Sequence, residues 1–294
     1  MHFYHFFGLN IQSAFKFPFL DEQQIDEADV FIEFGKIPEK PDHITNKGVL
    51  FQASEKEFLF RVPDICGYYV TSGNRMIIEQ GPEADNKDIY AFMAGSAMGA
   101  LLQQRDMVAF HGCTVEKSDK AFMFAGHTGS GKSTTGIYMF QHGYKVISDD
   151  ISVIDKNPNN GIRIIPGPPY FKLWLDVIRK LKLNESNLQS LRNGIHKYIY
   201  PFQPFEGQAP LKAVFVLKNT NNKGISFSEI KGAEKFNLLR RNIYKPQFAR
   251  HTAFESVLLQ TLSRVAQEIP VILIEKGQDK FYQDKILEKL ENFG

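Results

Sequence analysis

The residues Gly126-His127-Thr128-Gly129-Ser130-Gly131-Lys132-Ser133 fit the pattern G-x-x-x-x-G-K-S. This is the spacing of a P-loop, and its chemistry is anion binding. Glycines let the backbone wrap around a phosphate chain with successive N–H groups pointing inward. A helix starting at the loop adds partial positive charge, and Lys132 adds a full one. Ser133 offers a hydroxyl to a Mg²⁺ ion beside the phosphates, and Thr134 completes the candidate nucleotide-binding set. Further along stand two adjacent acids, Asp149 and Asp150. One could hold the metal directly or through water, and the other could take the proton of an attacking hydroxyl. Side chains that follow one another on an extended chain point to opposite faces, so the pair is expected to divide these tasks. Without the loop, the same pair would read as the solvated end of a strand. His111 is the remaining candidate. His127, at a variable loop position, and His142, at a helix end, read as structural.

These groups need elements to hold them. Ala121-Phe122-Met123-Phe124-Ala125 is apolar and predicts a buried strand. Residues 134–142 lack proline and predict a helix, with Gly143 as its C-cap. Residues 144–148 predict a strand ending on Asp149-Asp150, and 151–154 continue extended. Upstream, residues 107–115 predict a strand and 118–120 a tight turn. Ile89, Phe92, Met93, Ala97, Ala100 and Leu101 recur at helical spacing over 88–104, with Asp85 or Asn86 as cap. Gly95 and Gly99 fit such a helix where another backbone packs closely, and the helix is expected to bridge into the nucleotide-binding part. Before Gly81 the pattern is short strands at 3–11, 30–34, 49–51, 58–62, 67–71 and 76–79, suggesting antiparallel pairing. Downstream, a turn is expected at 157–161, helices at 172–182, 231–241, 252–266 and 281–293, strands at 211–217 and 270–274, and irregular chain at 193–208. The expected fold class is α/β, with residues 1–81 a small β-rich N-terminal domain and residues 82–294 a P-loop nucleotide-binding domain.

Composition narrows the classes. A length of 294 residues allows one large domain or two modest ones. The net charge of +2, from 35 Lys and Arg against 33 Asp and Glu, gives no electrostatic footprint for nucleic acid. The two cysteines, Cys66 and Cys113, stand outside any C-x-x-C spacing, which argues against a disulfide framework or zinc site and fits a reducing compartment. Met1-His2-Phe3-Tyr4-His5-Phe6-Phe7 has neither a basic n-region nor a small-residue cleavage site. No apolar run is long enough to span a bilayer. A cytoplasmic protein with no nucleic-acid or membrane partner is expected. The 26 phenylalanines support a sizeable core and would suit an apolar groove for a partner.

Taken together, His111-Gly112, the loop Gly126 to Ser133, Gly143 and Asp149-Asp150 resemble in order and spacing the HPr kinase/phosphorylase family, itself similar in its nucleotide fold to phosphoenolpyruvate carboxykinases. The resemblance covers about residues 110–154. It implies Lys132 on the phosphates, Ser133 on Mg²⁺ and Asp150 as general base toward a serine hydroxyl. ATP and Mg²⁺ are the expected cofactors, with Asp149 supporting the metal or the base and His111 orienting the reacting groups. The family's second, downstream signature is missing. Arg163-Ile164-Ile165-Pro166-Gly167-Pro168-Pro169-Tyr170-Phe171-Lys172-Leu173-Trp174 stands in its place, and the N-terminal part is unlike that family's regulatory domain. Both departures count against HPr as substrate and against the reverse reaction.

Over most of its length the chain is similar to a divergent branch, the HPr-kinase-like proteins of peptide-biosynthesis clusters, lasso-peptide precursor kinases among them. The carriers are Tyr4-His5-Phe6-Phe7-Gly8-Leu9, the segment 167–174 and Lys197-Tyr198. This resemblance implies a precursor peptide as partner, phosphorylated on its C-terminal serine. Arg163, Lys172, Lys197, Arg240, Arg241 and Arg250 could grip the phosphoryl group or a peptide's terminal carboxylate. Lys172 and Lys197 are preferred because they lie in segments similar to that branch. Three other readings stand beside it. One is a kinase of a small hydroxylated metabolite, which would need a closed polar pocket. Another is an HPr-type regulatory kinase, for which a homo-oligomer would fit. The third is a nucleotide-binding regulator without transfer activity.

Overall fold

The computed structural model describes residues 1–293 except 156, 158, 160 and 187. The fold is mixed α/β and contains two eight-stranded sheets. The chain divides into two compact units. The first comprises Met1–Ala109, Gln189–Ile199 and Tyr244–Thr261, and the second Phe110–Leu188, Tyr200–Ile243 and Leu262–Gly294. The sequence placed one change of domain at residues 81/82. The compact units instead change over first at 109/110, and each resumes later in the chain.

The first unit is built on strands β1 His2–Phe6, β2 Leu9–Ser13, β3 Val30–Phe34, β4 Asn46–Lys47, β5 Phe51–Ala53, β6 Glu57–Val62, β7 Cys66–Thr71 and β8 Arg75–Gln80, in the order β1-β2-β3-β8-β7-β6-β5-β4. The single strand expected at 3–11 is a hairpin. Phe7 and Gly8, with φ of 54° and 66°, make its two-residue turn. Phe7 is an unusual residue for that conformation, and its ring is buried. Pairing is antiparallel except at β3, which runs parallel to both β2 and β8. The long connection at 14–29 lets the chain return in the same direction. The strand expected at 49–51 begins only at Phe51, and Val49 is fully exposed. Ile11, Val30, Tyr68, Val70, Met76 and Ile78 are all buried in the core.

Residues 86–104 form the expected helical stretch, as α1 Asn86–Phe92 and α2 Met98–Gln104 joined by a π-helical turn at Met93–Ala97. Asp85 caps it, its Oδ1 accepting from Asp88 N at 2.7 Å. The stretch belongs to the first unit. The Tyr68 hydroxyl donates to Ile89 O, and Gln104 Nε2 donates to Val70 O. Gly99 is required by a ring rather than by a backbone, since a Cβ there would stand 2.9 Å from Tyr244 Cε1.

The second unit opens with a hairpin, β9 Ala109–Lys117 and β10 Lys120–Gly126, turned at Ser118 and Asp119 with φ of 54° and 57°. It continues with α3 Lys132–Gln141, β11 Lys145–Ser148, β12 Ile151–Ile154, β13 Arg163–Ile165, β14 Tyr170–Trp174 and α4 Leu175–Lys180. Between these and the remainder lie β15 Gln189–Ser190 and β16 Lys197–Pro201, paired antiparallel. The remainder is β17 Ala209–Asn219, β18 Ile225–Ile230, α5 Gly232–Arg240, β19 Val271–Lys276 and α7 Gln283–Glu291, with α6 Phe254–Glu268 divided at Thr261 between the first unit and the second.

Strands β10, β17 and β19 run parallel, with β18 antiparallel at the edge. Pairing also runs from β10 through β9, β12 and β13 back to the start of β17, closing a circuit. The parallel strands end together: Gly126 lies opposite Leu217, and Asn219 opposite Lys276. In open α/β sheets that edge gathers ligands. Two expectations change here. Lys172 is not in a helix starting at 172. The prolines at 166, 168 and 169 hold the chain extended, so Lys172 lies in β14 and the helix begins at Leu175. The stretch 193–208, expected to be irregular, contains β16. The turn expected at 157–161 lies partly outside the described residues. Among the described residues no helix is long and apolar enough to cross a membrane.

Candidate active site

The loop after β10 has the backbone its glycines predict. Gly126, Gly129 and Gly131 take φ of 143°, 81° and 95°, conformations that only glycine adopts freely. At Gly126 space forbids a side chain as well, because a Cβ would lie 2.5 Å from Leu217 O. Helix α3 begins at Lys132, so its first N–H groups face the loop. Lys132 is buried, and its Nζ donates to Gly126 O at 2.9 Å and His127 O at 3.0 Å. The ammonium is thus folded across the loop. His127, Thr128 and Gly129 are exposed, whereas Ser130 is 4% exposed. The Ser130 hydroxyl has no hydrogen-bond partner among the described residues.

Asp149 is buried and tied to three elements. Its Oδ1 accepts from Ser133 Oγ at 2.8 Å, and its Oδ2 from Lys172 N at 3.0 Å. The third donor is the thiol of Cys113, whose pKa is pushed well above the ordinary value, first by burial and then by the Asp149 carboxylate. The group therefore stays a protonated donor. Gly136 makes room for it, since a Cβ there would stand 2.2 Å from the sulfur. One hydroxyl and one carboxylate are the hard oxygen donors a P-loop offers Mg²⁺, which keeps waters and phosphate oxygens for its other positions. The residues fit that ion only together with bound phosphates, because no cluster of three or more His, Cys, Asp or Glu among the described residues could hold a metal.

Asp150 departs from the extended conformation expected for it. Its φ is 70°, and Ile151 N donates to Asp149 O at 2.9 Å. A two-residue hydrogen bond across a residue with positive φ is a strained form of γ-turn, at a cost of about 1–3 kcal/mol. The surroundings hold it there. Thr114 Oγ1 and Ser148 Oγ both bond Ser152 Oγ, at 2.8 and 2.9 Å, and all three hydroxyls are fully buried. This chain locks β9, β11 and β12 under the turn. Asp150 Oδ2 lies 2.9 Å from Lys172 Nζ. His111 Nδ1 lies 3.1 Å from Asp150 O and 3.5 Å from its Oδ1. A carbonyl oxygen only accepts, so Nδ1 carries the proton.

His111, Lys132, Ser133, Asp149 and Asp150 therefore all belong to the second unit, and His111, Ser133, Asp149 and Asp150 are linked, through Lys172, by hydrogen bonds or close charge contacts. Lys172 joins them in a role the sequence did not suggest, with its ammonium directed at Asp150 and its side chain 9% exposed. Lys197 belongs to the first unit and lies on β16, half-buried. Arg163 donates to Gln208 O, and Arg240, Arg241 and Arg250 are exposed. His142 bonds Tyr138 O at its helix end, as a structural histidine does.

Sequence reasoning missed Cys113 and Lys276. Lys276 ends β19, and its Nζ stands 3.5 Å from the place a Cβ on Gly131 would take. Burial pushes this ammonium below the usual lysine range, and Lys180 pushes it the same way. The available signal was its place just past the last predicted strand, on the edge where ligands gather.

No family model matches the chain, and no curated protein matches it. Among solved structures the chain is similar to the HPr(Ser) kinase/phosphatase from Coxiella burnetii, with 11% sequence identity and a TM-score of 0.33. The superposition covers 63% of this chain and 88% of that one.

Proposed function

We propose that the protein is a P-loop phosphotransferase that carries the γ-phosphoryl group of ATP to a serine hydroxyl, the acceptor being the C-terminal serine of a lasso-type precursor peptide. The observation that supports it best is Asp150, a carboxylate held in a strained turn next to the Asp149–Ser133 pair and flanked by His111 and Lys172. Strain of this kind persists where the surroundings over-determine it, and such places cluster at active sites.

In this reading the loop N–H groups and Lys132 hold the phosphate chain, and Ser133 and Asp149 hold the ion. Bound Mg²⁺ would supply charge neutralisation at the phosphate oxygens. Asp150 takes the proton of the acceptor hydroxyl. The serine oxygen bonds to the γ-phosphorus, the bond from that phosphorus to the β,γ-bridging oxygen breaks, and ADP leaves. Lys172 is a positioning residue, since a cation beside a carboxylate favours its ionised form, the form a base needs. The His111 Nδ1–H bond to the Asp150 carbonyl fixes the turn. The acceptor reading comes from the resemblance of Tyr4 to Leu9, residues 167–174 and Lys197-Tyr198 to the peptide-kinase branch. Cys66 and Cys113 are free and buried, which suits a cytoplasmic, reducing setting.

The test is intact mass after incubation with ATP, Mg²⁺ and peptides ending in serine, with HPr and free serine as competing acceptors. A gain of one phosphoryl group on the peptides, lost when the terminal serine is alanine, is expected. Gain on HPr or free serine alone would overturn the acceptor assignment.

A further inference from the structure

A cation outside the P-loop motif lies against the loop. Its backbone is fixed by strand pairing: Asn219 of β17 is opposite Lys276 of β19, and Lys276 O accepts from Thr220 N at 2.9 Å. Asn219 Nδ2 donates to Gly129 O at 3.2 Å, which ties the same strand end to the loop. From there the Lys276 side chain reaches Gly131, with Nζ 3.5 Å and Cε 3.9 Å from the Cβ position of that glycine. Lys180, in the last turn of α4, is the charge that acts on it. Lys180 is itself held over the Phe281 ring at 4.4 Å. No hydrogen bond or ion pair ties the Lys276 ammonium to another group among the described residues. Lys132, by contrast, is engaged with the loop carbonyls of Gly126 and His127.

The Lys276 ammonium is partly buried and feels the like charge of Lys180, which costs free energy unless an anion joins it. The loop beside them is shaped for anions, and within it the buried Ser130 hydroxyl lacks a partner among the described residues. We propose that Lys276, backed by Lys180, is a second cationic arm of the loop that holds the phosphate chain of a nucleoside di- or triphosphate. The assignment rests on the P-loop reading above. It adds a residue from a distant strand to the phosphate site. An ammonium suits this task, because a compact point charge follows phosphate oxygens without fixed geometry.

Binding of ATP and of inorganic tripolyphosphate to the full chain, measured calorimetrically with Mg²⁺, tests this. Lys276→Met should weaken both by a similar factor of about 10 to 100, the worth of one charged hydrogen bond. Lys276→Arg should stay within about threefold of the parent. Without nucleotide, Lys276→Met should melt no lower than the parent, because it relieves a repulsion. A large drop in melting temperature would make Lys276 structural and overturn the proposal. So would parent-like binding by Lys276→Met where Lys132→Ala has lost it. Loss of ATP binding alone, with tripolyphosphate unchanged, would move the contact to the base or sugar and also overturn it. A parent chain that binds neither probe would bring down the P-loop reading, and this proposal with it.

Discussion

Asp150 takes a backbone angle that side chains avoid, and four neighbours keep it there: His111 at its carbonyl, Lys172 at its carboxylate, and Ser148 and Ser152 beneath the turn. Asparagine keeps the shape and tolerates positive φ, but does not take a proton. Asp150→Asn should therefore lower transfer about 10²- to 10⁴-fold, the range for losing a general base, with ATP affinity nearly unchanged. Lys172→Met should lower kcat about tenfold by releasing Asp150, again sparing ATP binding, and Lys172→Arg should restore part of the rate. Titration calorimetry beside single-turnover kinetics separates the two effects. The loop and the acid pair were legible because each rests on residue type at fixed spacing. The role of Lys172 was not, because its partner Asp150 lies on a separate element and only folding brings them together.

Helix α3 carries Ser133 at its start and Gly136 one turn on, and Gly136 lets the Cys113 thiol reach Asp149. Alanine at 136 would collide with that sulfur, so Gly136→Ala should destabilise the protein by about 1–3 kcal/mol, as overpacking does. In a Cys113→Ala background the clash with sulfur vanishes, and only Phe171 Cε1, 3.2 Å from the new Cβ, must give slightly. The same change should then cost far less, since alanine favours helix over glycine by about 1 kcal/mol. Urea denaturation of the four proteins closes the cycle, and an equal cost in both backgrounds would contradict the packing account.

Most elements followed from periodicity and breakers. The hairpin at His2–Ser13 did not, because its turn uses a buried phenylalanine at positive φ where asparagine or glycine is the usual signal. Nor did β14, whose Tyr170, Phe171, Lys172 and Leu173 are all buried. A strand buried on both faces loses its alternation.

The whole molecule is two interleaved units, and that was the least legible feature. Composition does not mark where a chain leaves one core and returns to it, as this one does at residues 189–199 and 244–261. The helical stretch 86–104 shows the consequence. Sequence periodicity assigned it to the downstream domain, yet Ile89, Met93 and Leu101 are buried within the first unit. A fragment of residues 82–294 keeps the whole second unit but would expose that apolar face. It should bind an apolar dye at low temperature, whereas the full chain should not. A fragment that binds no more dye than the full chain would restore the 81/82 boundary.

Charge also acts on the stability of the whole chain. Lys276 carries an ammonium held below its usual pKa, so it opposes folding while protonated in the folded state. Any stability gain from Lys276→Met at neutral pH should shrink as pH rises through the lowered folded value toward the ordinary lysine range. There the folded parent sheds the proton before the unfolded chain does. Denaturation curves of both proteins across that range read this directly.

The central claim is that this loop and Asp150 move a phosphoryl group from ATP to a serine hydroxyl. A single-turnover measurement with γ-labelled ATP, Mg²⁺ and a peptide ending in serine tests it most directly, on the parent and on Asp150→Asn. Label should pass to the peptide with the parent and stay on ATP with the variant, although both bind nucleotide equally. Label transfer at the parent rate by Asp150→Asn would remove the base from the mechanism.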